Sequence, residues 1–190
     1  ALKDPEKNGF QNILTNPPFG SKGRNRYDAV TLKDWSEGWR QQDVNRFECV
    51  HLGSNGGAQP ESLFIELCVK ALKKPTEPLN GGRLGIVIDY GILSNTQREE
   101  PSVRGVIRRE TIVEALVGLP KGSFKMYGSN VIPCVMIVRR KHEREKQGPI
   151  FRADIQEIGY LTGVDRYKEW SDADLQAVIK SYKDWKQRWA

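Results

Sequence analysis

Asn16-Pro17-Pro18-Phe19 follows directly on the short apolar run Asn12-Ile13-Leu14-Thr15. A side-chain amide oxygen and a backbone carbonyl from consecutive residues can face one point together. Pro17 and Pro18 lack an N–H and have a fixed φ, so the turn that carries them is stiff. Two convergent acceptors bind both hydrogens of an exocyclic amine, and an aromatic ring beside them stacks on the attached heterocycle. Such a site holds an aryl amine with its lone pair free to attack an electrophile, and it needs no strong general base. The bland alternative is a strand-ending turn with Phe19 anchored in the core. The position after a strand favours the chemical reading, because open α/β sheets bind ligands beyond the carboxyl ends of their strands.

Few other residues compete for a chemical role. Lys22, Arg24 and Arg26 come just after the motif and could touch phosphates; they read equally well as ordinary loop charges. Trp35 and Trp39 read as loop anchors or as stacking residues. Cys49, Cys68 and Cys134 are odd in number and widely spaced, which is no disulfide framework, and with His51 and His142 far apart they make no metal site. Reduced cysteines suit a cytoplasmic protein. No Ser-His-Asp arrangement can be built from two histidines, and the run from Arg139 to Lys146 reads as a solvated turn.

The elements that must position the motif follow from patterning. Pro17 and Pro18 end the first strand, since neither can continue a central ladder. A long polar stretch runs from Gly20 to about Ala58, and its Gly53–Gly57 portion reads as flexible. Pro60 to Lys74 has helical spacing in Phe64, Leu67, Cys68 and Ala71. Arg83 to Asp89 reads as a strand buried on both faces. Val103 to Glu110 is a short helix, and Ile112–Leu119 and Val131–Arg139 are strands. The gap between these last two is too short for a helix, so they should pair antiparallel. A short strand, Ile150–Ile155, precedes a terminal helix capped by Ser171, with Leu175, Val178, Ile179, Tyr182, Trp185 and Trp189 on one face.

Composition agrees with this α/β pattern. The 190 residues are 38% hydrophobic and 28% charged, a globular balance that excludes disorder and fibres. No apolar run is long enough to span a bilayer, and the first residues contain no apolar secretion signal. A net charge of +6 suits nucleic acid, though only weakly.

The motif and its surroundings resemble the N6-adenine DNA methyltransferases, specifically the modification subunit of type I restriction–modification systems. Asn16-Pro17-Pro18-Phe19-Gly20 is similar to the catalytic motif of that family. Gln59 to Ile65 resembles the helix after the catalytic loop, and Gly81–Ile88 with Gly91-Ile92-Leu93 resembles the next strand and its loop. Ile112–Phe124, with Leu119-Pro120-Lys121-Gly122-Ser123-Phe124, and Val131–Lys141 look like the final antiparallel pair, and Phe151–Ile155 and Glu157–Tyr160 with the terminal helix look like the subunit's tail. The resemblance implies an α/β fold: the second half of a Rossmann-like methyltransferase sheet, with a terminal antiparallel strand pair and a C-terminal helix. It implies that Asn16 and the Pro17 carbonyl accept the N6 hydrogens, that Pro18 fixes the turn, and that Phe19 stacks on the adenine. It also implies S-adenosylmethionine as methyl donor, an adenine flipped out of double-stranded DNA, and specificity and restriction subunits as partners.

One departure stands out. The family's glycine-rich donor loop and the acidic residue ending its second strand both precede the catalytic motif, whereas only 15 residues precede Asn16 here. The expectation is therefore the C-terminal half of a methyltransferase domain over residues 1–145, followed by an extension over 146–190. The donor would be bound mainly by residues outside this chain, and the isolated piece would be inactive. Its first strand would have an open edge, which invites self-association. Two further readings remain: a methyltransferase acting on another planar amine, such as an rRNA base or a protein glutamine, and a non-catalytic remnant that binds DNA or a partner subunit.

Overall fold

The computed structural model describes residues 8–17, 47–51, 60–94, 103–124, 131–156 and 173–189. Their strands are β1 (Asn12–Thr15), β2 (Arg83–Asp89), β3 (Thr111–Gly118), β4 (Pro133–Arg140) and β5 (Phe151–Asp154). The helices are α1 (Glu48–His51), α2 (Pro60–Ala71), α3 (Tyr90–Ser94), α4 (Val103–Glu110) and α5 (Ala173–Trp189). The five strands form one sheet in the order β1-β2-β4-β3-β5. β1 and β2 run parallel, as do β3 and β5; β4 is antiparallel to both of its neighbours. This is the partial Rossmann-like sheet with a terminal antiparallel pair and a C-terminal helix that the sequence predicts.

Local chemistry sets several boundaries. β4 starts at Pro133, opposite Asp89, rather than at Val131; proline has no N–H for a ladder and fits at a strand's first residue. α2 stops at Ala71 rather than Lys74, because Leu72 and Lys73 turn to pair with Phe10. The Phe10 amide donates to Ala71 O and the Lys73 amide donates to Phe10 O, each at 2.9 Å. Between Val113 and Ala115 the β3–β4 register shifts, which leaves Glu114 as the extra residue of a bulge.

The core lies on one face of the sheet. There Leu84, Ile86 and Ile88 of β2 and Cys134, Met136 and Val138 of β4 pack against Ile65, Cys68 and Val69 of α2 and Val103, Val106 and Ile107 of α4. Burial alternates strictly along β2, so it is not buried on both faces as its unbroken apolar run suggests. Its second face, with Gly85 and Val87, is only half-buried. β1 departs further from a buried strand: it is the end strand of the described sheet, and Leu14 is 87% exposed.

The basic run that begins at Arg139 is not simply a solvated turn. β4 continues through Arg139 and Arg140, and both are buried. Arg139 donates to Glu114 at 3.1 Å and grips Glu145 with two bonds of 3.0 and 2.9 Å. Arg140 pairs with Glu110 at 2.6 Å and donates to Val69 O at 3.0 Å. These carboxylates lie up to 30 residues away, too far for local patterning to connect them.

α5 rests on β5 through aromatic edges, with Phe151 5.3 Å from Tyr182 and 5.9 Å from Trp185 between ring centroids. None of its residues is buried, and Trp189 is 61% exposed. Ser171, expected as its cap, lies outside the described residues, as do Gly20–Arg46 and Gly53–Gly57. Among the described residues all three cysteines are free and buried. No described helix is long and apolar enough to cross a membrane, and no group of three or more described His, Cys, Asp or Glu side chains could hold a metal ion.

Candidate active site

β1 delivers Asn16 and Pro17 to the carboxyl end of the sheet. Thr15 pairs with Ile86, so the chain leaves β1 alongside the last three residues of β2. Asn16 is exposed and Pro17 is buried. The stiff half of the turn is therefore packed, while the amide-bearing residue meets solvent. Pro18, Phe19, Lys22, Arg24 and Arg26 lie outside the described residues.

Because β1, β2, β3 and β5 share one direction, their ends gather at this side of the sheet. β2 ends in Asp89, whose carboxylate Oδ1 accepts the Gly91 amide at 3.0 Å and so caps α3. The Asp89 amide donates to Glu61 Oε1 at 3.0 Å, tying the strand end to the first turn of α2. Tyr90 follows, half exposed, and its amide donates to Ile132 O at 2.8 Å. Pro133 O accepts the Leu119 amide at 2.9 Å, which closes the mouth of the β3–β4 pair. Beyond it, the Asp154 carboxylate folds over Gly118 into the space that a Cβ there would take.

Glu61 is the distinctive group of this end. Burial pushes its carboxyl above the usual carboxylate range; the Asp89 amide opposes that and the Asp89 carboxylate adds to it. Sequence reasoning places Glu61 in a helix and Asp89 at a strand end without linking the two to each other. The link is tertiary, since the bond between them spans 28 residues.

The described assembly is a strand end carrying the exposed Asn16 and the buried Pro17, beside a parallel neighbour whose own end is tied to a helix. The sequence matches the N-6 DNA Methylase family over residues 1–189. The chain belongs to that family. No curated protein sequence matches it. Its fold is similar to a modification subunit assigned to a type I restriction enzyme from Vibrio vulnificus, with TM-score 0.63 and 20% identity over 94% of this chain and 32% of the other. It is similar as well to a chain of a type I restriction–modification complex, with TM-score 0.60 and 22% identity over 95% of this chain and 31% of the other. A protein from Listeria monocytogenes assigned to the class I S-adenosylmethionine-dependent methyltransferases matches with TM-score 0.59 and 15% identity, over 94% of this chain and 43% of that one. This member of the N-6 DNA methylase family thus spans about a third of the length of the type I chains that it resembles.

Proposed function

We propose that this chain carries the target-amine half of an S-adenosylmethionine-dependent DNA adenine-N6 methyltransferase of a type I restriction–modification system. The observation that carries the reading is Asn16-Pro17 at the carboxyl end of a strand parallel to β2, in a member of the N-6 DNA methylase family. Asn16 Oδ1 and the Pro17 carbonyl accept the two N6 hydrogens of an adenine swung out of the duplex. This orients the amine and leaves its lone pair free. Pro18 holds the turn and Phe19 stacks on the base, while Lys22, Arg24 and Arg26 contact nearby phosphates. The donor implied by the family supplies the methyl group, and no described residue is assigned to hold it. Residues 1–145 form the methyltransferase part. Residues 146–190 form an extension that adds β5 to the sheet and lays α5 against it.

On this reading double-stranded DNA and the specificity and restriction subunits are partners of the longer protein, in the cytoplasm. The decisive experiment is Asn16→Ala in that longer protein. Loss of one oriented acceptor at the reacting amine should lower methylation by about 10²–10³-fold and leave DNA binding in place. Unchanged turnover would overturn the assignment. RNA and protein-glutamine substrates tested in parallel identify the amine class.

A further inference from the structure

At the other end of β2, a cavity of about 210 Å³ lies between the sheet and α5. Its wall holds Arg83, Arg139, Lys146 and Lys186 together with the indoles of Trp185 and Trp189. Two carboxylates complete the wall, and both are already occupied. Glu114 accepts Arg83 Nε at 3.3 Å, Arg139 Nε at 3.1 Å and the Tyr182 hydroxyl at 3.4 Å. Glu145 accepts both terminal nitrogens of Arg139 as well as the Leu79 and His142 amides.

The donors are not matched in the same way. Arg83 meets Glu114 through Nε, and Lys186 stands 4.0 Å from the same carboxylate. Lys146 has no ion-pair partner among the described residues. The cavity therefore presents four cationic side chains against two carboxylates, an excess of positive charge beside two tryptophans. Charged oxygens answer the first, and a planar ring answers the second. The geometry points to a binding site for a nucleoside monophosphate, free or as the 5′ end of a DNA strand. Its phosphate would lie among Arg83, Lys146 and Lys186, and its base against Trp189 and Trp185. The site is separate from the proposed amine site, because the length of β2, roughly 20 Å, divides them. It does not depend on that reading.

Calorimetric titration of the chain with AMP tests the site, with adenosine, inorganic phosphate and a 5′-phosphorylated oligonucleotide as further arms. AMP should bind more tightly than adenosine or phosphate. The double variant Lys146→Ala/Lys186→Ala should weaken AMP by about tenfold or more, and Lys146→Ala alone, which breaks no ion pair among the described residues, should weaken it without shifting the thermal midpoint. Trp189→Ala, at an exposed position, gives an independent loss that reports the stacking. Competition by the oligonucleotide assigns the ligand to a strand end, and its failure to compete assigns it to the free nucleotide. Absence of AMP binding, or affinity untouched by both the double variant and Trp189→Ala, would refute the site. Phosphate binding as tight as AMP would remove the base from it.

Discussion

The Glu66 carboxylate receives the Cys49 amide at 2.9 Å on Oε2 while Oε1 receives the Glu48 amide at 2.8 Å, in a place where Glu66 has no exposed surface. Lys70, one turn along α2, pairs with the same carboxylate. One side chain thus satisfies backbone donors at the start of α1 and fastens it to α2. Glu48 then passes the connection to α4 by gripping Arg109 with two bonds of 2.7 Å.

Replacing Glu66 by Ala should remove the cap and leave two amides unpaired, at a cost of about 3–5 kcal/mol; Glu66→Gln should cost less because it keeps one acceptor. Urea unfolding of both variants checks the order. The amides and Lys70 hold the Glu66 carboxyl below its ordinary value of 4.5 against the opposing effect of burial. A lowered folded value means that the stabilisation is present above the unfolded value and is lost as pH falls through the folded one. Stability should therefore decline below about pH 4.5, and less steeply in Glu66→Gln.

Arg139 neutralises both Glu114 and Glu145 from a side chain that is itself buried. Arg139→Ala leaves two part-buried carboxylates without their main partner and should lower stability by about 3–5 kcal/mol. Arg139→Lys should recover only part, because an ammonium cannot reproduce the two-pronged grip on Glu145. Chemical denaturation of the three proteins measures both effects.

Gly82 sits where a Cβ would collide with Phe10 O and the Lys73 amide, which are themselves hydrogen-bonded to each other. Gly82→Ala should cost about 1–3 kcal/mol and loosen the attachment of the chain leading into β1. Faster amide exchange at Phe10 and Lys73 than in the parent chain is the expected signature.

The cysteines should be silent in the folded chain. Burial pushes the Cys68 and Cys134 thiols up to about 11, and Cys49 is raised further by burial and by Glu66. A thiol reagent near neutral pH should label none of them until the chain unfolds. Prompt labelling of native protein would contradict the burial.

Much of this architecture was legible in the chain. Val103–Glu110 forms a helix with the predicted bounds, and the β3–β4 pair is antiparallel because no helix fits between its strands. What escaped sequence reasoning depends on distant partners. Arg139 and Arg140 look like surface charges until Glu114, Glu145 and Glu110 are brought to them. Nothing local says that Arg83–Asp89 has one face only half covered, since apolar residues alone cannot report what lies opposite. The aromatic stripe of α5 has the right period, yet no residue of the helix is buried, and its described ring contacts to the sheet are made by Tyr182 and Trp185 on Phe151. At the candidate site the position of Asn16 and Pro17 just beyond a strand was legible from the sequence, while the brace from Glu61 to Asp89 was not.

The strand order also bears on how the chain folds. β3 and β4 are near in sequence, but β1 joins β2 across 71 positions, as Asn12 pairs with Arg83. Closing so long a loop carries an entropic penalty that a short connection avoids. β3, β4 and α4 should condense first, and β1 should dock onto a sheet already built. The amides of Asn12–Thr15 should then be the last in the sheet to gain protection during refolding. Asn16, at the tip of β1, is placed only in the final step.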